Sequence, residues 1–482
     1  MTNLLMFRYL SKLLPSLVGI GLLCSCAAFQ QDTALIPATA KVEPNISNAI
    51  KIEENWWKQL GDEQLNRLID QALRDSPSIK TADTRIQNAK ALIDANRSSL
   101  LPQIGINTQI NRQELSKNYI FPPTFDKLQN YGIIALTFDW SLDVWGKQKH
   151  LLDGSKYRFV GAQTQLDAAK QALTSGVVAA YIEYDYAFKS YQLAKKDSQI
   201  SDTLLSIAKE RHQKGVIDQV LLEQRKVDND TVRSQEGQAL KALELWRHQL
   251  AVLVGQGPSY GDNLRTPHLN ISDIATHTPK TIPSDLVARR PDLQGLLAQI
   301  QANKEDLKAA RLDYLPSFNL AGNLGYQAFG FNQLLNQDSQ IFSIGPVINL
   351  PIFNGGKIDA NVAAKNALKD QAIADYHEQL LTALRESADG ISSVNAASGS
   401  LQLISQSNQS AQIVLDIYQK RYQVGLLSKE EIEKSLIEYD RQTSNLYLAQ
   451  KNLLNAYVQL IQALGGGYIN KDSNLQLSSQ PQ

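Results

Sequence analysis

The chain carries one frame twice. Arg211-His212-Gln213-Lys214-Gly215 opens the first copy, and Gln249-Leu250 with Val254-Gly255-Gln256-Gly257 closes it. Arg421-Tyr422-Gln423-Val424-Gly425 opens the second, and Gln459-Leu460 with Leu464-Gly465-Gly466-Gly467 closes it. Residues 211 and 421, 215 and 425, and 255 and 465 keep a constant spacing of 210, and Gly146-Lys147 answers Gly356-Lys357 at the same spacing. A repeat this long constrains the architecture before any local reading does: the chain is two long halves built to one plan.

The interior of the repeat reads as helix. Ile432, Leu436, Tyr439, Thr443, Leu446, Gln450, Leu453, Tyr457, Leu460 and Leu464 step by four and three in alternation. Such a heptad seam packs a helix along its length against others. Glycines then end it, as Gly425 ends the helix before it, so Gly425 marks a sharp turn between two antiparallel helices. The first copy places Lys226, Asn229, Arg233 and Glu236 at equivalent positions, so its surface has diverged. The spacing predicts helices over about 149–212, 219–254, 358–422 and 429–464. At about 1.5 Å per residue the longest approach about 100 Å, far beyond an ordinary globular helix.

Ahead of each long helix the period switches to two. Ile104, Ile106 and Ile110 alternate with Gly105, Asn107, Gln109 and Asn111; after a loop holding Tyr119, Phe121, Pro122 and Pro123, Ile134, Leu136, Phe138, Trp140 and Leu142 share one face. The second half repeats this after Leu315-Pro316. Phe318, Leu320, Leu324 and Tyr326 precede a loop with Phe329 and Phe331, then Phe342, Ile344, Ile348, Leu350 and Ile352 follow. Strands of about ten residues with one apolar and one small or amide-bearing face suit a membrane-spanning β-barrel, although a half-buried soluble sheet gives the same alternation. Open edges cannot sit in lipid, and four strands cannot close, so the membrane reading requires several chains.

Residues 1–25 read as an export signal. Arg8 and Lys12 precede a short apolar run, Leu13 to Leu23. Leu23-Cys24-Ser25-Cys26 resembles the bacterial lipoprotein signal, which makes Cys26 the lipidated first residue of the mature protein; a plain secretory signal is the alternative. Ala27 follows, where an aspartate retains enteric lipoproteins at the inner membrane, so the resemblance implies onward transport to the outer membrane. The expected organisation continues as a lipid-anchored linker over 26–61, a first repeat over 62–254 with strand pair 103–142, and a connector over 255–284. A second repeat follows over 285–465 with strand pair 317–352, then a polar tail over 466–482. A single helix is expected from about Asp62 to Arg97. Pro283-Ser284-Asp285-Leu286 is expected to cap a helix containing Arg289-Arg290-Pro291-Asp292.

Enzyme chemistry is not indicated. The six histidines are scattered, and no His-Glu-x-x-His motif or phosphate-binding loop occurs. Lysine plus arginine equals aspartate plus glutamate at 48 each, which gives no reason to expect a nucleic acid partner. The expectation is a non-enzyme with no cofactor and no metal.

Trp57 to Asp62, Asp139 to Lys147, Ile282-Pro283-Ser284 with Arg289-Arg290-Pro291-Asp292, Leu315-Pro316-Ser317, Pro351 to Gly356, Arg421 to Gly425 and Ala463 to Gly467 together resemble the TolC/OprM outer-membrane efflux factors, in their NodT-type lipoprotein branch. The resemblance implies a mixed, mostly α fold. Long antiparallel coiled-coil-like helices would form a periplasmic tunnel, and four strands per chain would contribute to a twelve-stranded barrel in a homotrimer set in outer-membrane lipid. It also implies an inner-membrane pump of the resistance-nodulation-division type and a periplasmic adaptor (membrane fusion) protein as partners, with drugs or other small toxic compounds passing out. The family commonly constricts its pore with an aspartate, and Lys434 occupies that position here. Interleaved Glu431 and Lys434 are therefore expected to close the tip by charge pairs, with Tyr422 as a second constriction candidate. Two other readings stay open: an outer-membrane duct for type I protein secretion, and a lipid-anchored periplasmic coiled-coil scaffold. With only Met1 and Met6, no methionine-lined copper path exists in the mature chain.

Overall fold

The structure is a computed structural model that describes residues 52–114, 129–271 and 290–467. The signal, Cys26, the loop residues Tyr119, Phe121, Pro122 and Pro123, the expected cap at 283–286 and the tail from 468 lie outside the described residues.

Helices α1 (Glu63–Asp75) and α2 (Pro77–Ser98) lead into strands β1 (Gln103–Gln113) and β2 (Gln129–Ser141). The long helices α3 (Lys147–Gln213) and α4 (Gln219–Leu253) follow. The second half runs α5 (Pro291–Arg311), β3 (Ser317–Phe329), β4 (Gln340–Asn349), α6 (Lys357–Gln423) and α7 (Lys429–Ala463). Both α3 and α6 have 67 residues, and both α4 and α7 have 35.

Three local expectations are corrected. The helix expected from Asp62 to Arg97 is broken at Ser76, whose ψ of 131° is extended. Pro77 forces this, since a residue before proline is pushed out of the helical region and proline itself is tolerated only in a first turn. Arg290 likewise stands outside α5 in extended conformation, and Pro291 is the first helical residue. Phe329, expected in a loop, ends β3; it pairs with Tyr131, their rings 5.6 Å apart.

The core lies at one level of the long helices. Trp56 and Leu60 from a short 3-10 turn and Leu65 and Ile69 from α1 pack with Val177, Val178, Tyr181 and Tyr184 of α3, Leu250 of α4, and Leu453, Leu454 and Leu460 of α7. Asp62 ties the entry of the chain into this belt. Its carboxylate caps α1 at Gln64 N (2.8 Å) and accepts from Tyr181 Oη (2.7 Å) and His268 N (2.8 Å). Burial first, then the bond to Asp62, push the Tyr181 phenol well up. Arg290 closes the belt from the other side: it donates to Glu386 (2.8 Å), Asp292 (2.7 Å) and the carbonyl of Ala463 (3.2 Å), one of the orphan acceptors at the end of α7.

The seam of α7 packs along its length. Six of its ten residues are buried, and Leu436, Tyr439, Leu446 and Gln450 are half-buried. In α4 the diverged position Asn229 is buried too, bonded to Ser201 (3.3 Å) and Asp202 (2.8 Å), so a polar residue in a seam is accommodated by pairing it.

Candidate functional site: an open sheet and two hairpin tips

The four strands form one antiparallel sheet in the order β1-β2-β3-β4, so β1 and β4 each pair on one side only. Register puts like residues in rows. Ile106, Leu136, Leu324 and Phe342 line up across all four strands, exposed by 73%, 47%, 55% and 72%. The next row, Gly105, Thr137, Asn323 and Ser343, points to the other face. Ile104 and Ile110 on β1 and Ile344 and Ile348 on β4 extend the exposed apolar face. Uncovered apolar surface costs about 25 cal/mol per Å² in water, so this face requires an apolar surrounding. Trp140 and Trp145 pin the base of the sheet to its leading segments through Nε1 donations to the carbonyls of Leu100 (3.0 Å) and Pro316 (2.7 Å).

The sheet tolerates no side chain at Gly325. A Cβ there would lie 2.1 Å from the carbonyl oxygen of Ile134 and 2.4 Å from the Cα of Ala135, both backbone atoms of β2. Gly325→Ala is therefore expected to part β2 from β3, cutting recovery from the outer-membrane fraction at least tenfold, as read by immunoblot against wild type.

At the far ends of the long helices the two turns share one geometry. Gly215 (φ 69°) and Gly425 (φ 75°) take the left-handed conformation that glycine alone adopts freely. Val216 N bonds to Arg211 O at 2.9 Å, and Leu426 N to Arg421 O at 2.8 Å. Asp218 then caps α4 at Leu221 N, and Ser428 caps α7 at Glu431 N.

The expected constriction residues sit here with distinct partners. The Glu431 carboxylate accepts from Ser428 N (2.8 Å) and Ser428 Oγ (2.7 Å), completing a capping box. Those bonds hold its pKa below the usual glutamate value. Lys434 reaches Glu430 at 2.7 Å, so within the chain its partner is Glu430 and not Glu431. Tyr422 is 40% exposed on the last turn of α6.

The residue that sequence reasoning missed is Glu430. It accepts from Arg211 at the end of α3 (2.5 Å), from Arg225 near the start of α4 (3.2 Å) and from Lys434 (2.7 Å). One carboxylate thus ties the first hairpin to the second. Lys434 first, then Arg211 and Arg225, hold its pKa below the ordinary value against its partial burial, which raises it. Its two arginine partners lie 219 and 205 residues away, too far for any local pattern to reveal. Among the described residues no helix is long and apolar enough to cross a membrane, and no group of three or more His, Cys, Asp or Glu could hold a metal ion.

The outer membrane efflux protein family matches residues 68–256 and 282–466. The multidrug resistance outer membrane protein MdtQ of Escherichia coli O6:H1 is 25% identical over 450 residues, 92% of each chain. The fusaric acid resistance protein FusA of Burkholderia cepacia is 28% identical over 371 residues, 73% of this chain and 69% of that protein. Among solved structures, the CmeC outer membrane channel of Campylobacter jejuni superposes with a TM-score of 0.79 at 24% identity, covering 88% of this chain and 90% of that one. The outer membrane protein VceC of Vibrio cholerae gives 0.74 at 26%, covering 86% and 100%.

Proposed function

The chain belongs to the outer membrane efflux protein family, and on that premise we propose that three copies form the exit duct of a tripartite efflux system. Four strands from each chain close a twelve-stranded barrel in the outer membrane, and the long helices build a tunnel into the periplasm. The observation that carries this reading is the sheet with two free edges and an exposed apolar row from Ile106 to Phe342. Lipid covers the row, and neighbouring chains pair the edges. Helix α6 supports it too: only six of its 67 residues are buried within one chain, while Leu381 and Leu403 are 67% and 68% exposed, a surface that neighbouring helices cover.

No bond is made or broken in this role, and no cofactor is required. The tunnel is closed at the twin tips, where Glu430 binds the hairpins together and Tyr422, Glu431 and Lys434 narrow the opening. Exposed Val216, Val424 and Leu426 offer an apolar surface to the periplasmic adaptor, which links the duct to an inner-membrane pump. The names of the relatives, multidrug and fusaric acid resistance, point to small toxic compounds as cargo.

Deleting the gene tests the reading. Accumulation of a hydrophobic fluorescent dye should rise several-fold and be restored by the wild-type chain. Unchanged accumulation together with loss of a polypeptide from the medium would favour a protein-secretion duct instead. Cys26 is proposed as the lipid anchor. Cys26→Ser is expected to abolish palmitate labelling of the mature chain, and a labelled Cys26→Ser variant would remove that assignment.

A further inference from the structure

The seam between the two hairpins holds carboxylates that the channel reading leaves unused. Asp440 on α7 is 2% exposed; one of its oxygens accepts from Lys196 Nζ at 2.7 Å, and the other, Oδ2, is sealed from solvent without a donor. Asp197 on α3 has an orphaned Oδ1 in the same state, and its carboxyl lies within hydrogen-bonding reach of Asp440. Two ionised carboxylates set against each other repel, and a buried acceptor without a donor is destabilising. One proton between them turns two orphaned oxygens into a single O–H···O⁻ bond.

The surroundings offer little to replace that proton. On α3, Lys196 is engaged by Asp440, and Lys189 bonds to Asp185 at 2.7 Å. On α7, Tyr439 and Tyr447 are neutral neighbours, and Glu438 is held by Arg441 at 2.6 Å. Arg233 of α4 is taken by Asp202 at 2.9 Å. From α6, the stretch 404–415 has no charged residue, and its Asn408 accepts from Thr443 at 3.2 Å. Lys196, Asp197 and Asp440 therefore sum to one net negative charge, which a single proton cancels.

We propose that Asp197 and Asp440 share one proton, and that this proton clamps α3 against α7, so that its loss loosens one helical hairpin from the other. On loss the proton passes to bulk water, and the pair carries two negative charges opposed by Lys196 alone. Burial first, then the neighbouring Asp440, raise the Asp197 carboxyl to about 7 from its ordinary 3.8. A raised carboxyl favours the packed state fully below its unfolded value, and the advantage is lost as pH rises through the packed-state value. The clamp is thus tight in acid and is lost as pH rises through about 7. The effect on the duct rests on the channel reading; the clamp itself does not.

The chain's two cysteines, Cys24 and Cys26, lie at its extreme N-terminus, so a pair of spin labels can be placed cleanly at the exposed positions Lys195 and Arg441 of the detergent-extracted full-length protein. Dipolar broadening between the labels should fall as pH is raised from 5 to 9, with a midpoint near 7. In Asp197→Asn, which keeps the shape of the protonated acid, it should stay at its acid value throughout. In parallel, the infrared band of a protonated carboxyl should vanish in the unlabelled wild type with the same midpoint. Constant broadening in the wild type, an unaltered pH response in Asp197→Asn, or no protonated-carboxyl band at pH 5 would each overturn the proposal. Should Asp197→Asn not fold, the wild-type infrared titration decides alone. Pore formation in planar bilayers reports on the channel reading separately, since its failure leaves the label distances as they are.

Discussion

Leu324→Arg is expected to eliminate insertion into the outer membrane, while Asn323→Arg, one residue away, is expected to leave it intact. Leu324 stands in the apolar row with Ile106, Leu136 and Phe342, and Asn323 in the polar row with Gly105, Thr137 and Ser343. Successive residues of a strand point to opposite faces, so in the proposed barrel the two substitutions send the same cation to lipid and to lumen. An arginine near the middle of the lipid face of a barrel costs about 2–4 kcal/mol, or about 6–12 kcal/mol for three copies, which rivals the whole stability of a typical domain. The lumen face is wet and carries no such cost. Heat-modifiable oligomer on gels of the outer-membrane fraction reads both variants. Equal tolerance of the two would mean that the exposed row meets water or protein instead of lipid, and the scaffold reading would then lead.

Glu430→Ala is expected to open the tips. The carboxylate is about one-fifth exposed and holds Arg211, Arg225 and Lys434, themselves 39%, 24% and 50% exposed. Exposed pairs contribute only about 0–1 kcal/mol, whereas hydrogen bonds to a shielded charge contribute about 1.5–3 kcal/mol. Discounting for the wet side of the cluster, about 2–3 kcal/mol per chain is a reasonable sum, with mutual repulsion of three uncompensated cations added. That shifts a closed-to-open equilibrium by roughly 30- to 150-fold. Single-channel conductance in planar bilayers should rise several-fold, and Glu430→Gln should do nearly as much, because the lock depends on charge. The pH dependence has a definite sign. A carboxyl whose pKa is lowered in the closed state stabilises that state above its ordinary value of 4.5, and the stabilisation is lost as pH falls through the lowered value. The wild-type channel should therefore open in strong acid by this route, and Glu430→Ala should not respond. The proton shared by Asp197 and Asp440 acts in the opposite direction and at higher pH, so the two devices separate on a titration. Conductance unchanged in Glu430→Ala would move the constriction elsewhere along the helices.

Much of this fold is legible in the sequence because its signals are long and periodic. The seam from Ile432 to Leu464 and the alternation from Ile104 to Ile352 place helices and strands within a few residues, since a 3.5-residue or two-residue period sustained over many steps has few other physical readings. Tip glycines mark their own turns. The break at Ser76-Pro77 was there to be read, but the continuous apolar pattern on either side masks it. The candidate site is less legible. Tyr422, Glu431 and Lys434 lie where the Arg-Tyr-x-x-Gly turn directs attention, yet Glu431 is occupied by the capping box with Ser428 and Lys434 by Glu430. Glu430 draws on Arg211 and Arg225, and Asp440 on Lys196 and Asp197, through contacts between the two halves of the chain. No spacing along one helix encodes them. They emerge only once the halves are packed side by side.

Chains of this protein are proposed to close one conducting barrel. The most direct test is to extract the outer-membrane fraction in detergent, measure the mass of the intact complex and add the same sample to a planar bilayer. A complex of three acylated chains that yields discrete ion-conducting steps is the predicted result. A monomer or dimer that leaves the bilayer silent would contradict it, because four strands with two open edges cannot span a membrane alone.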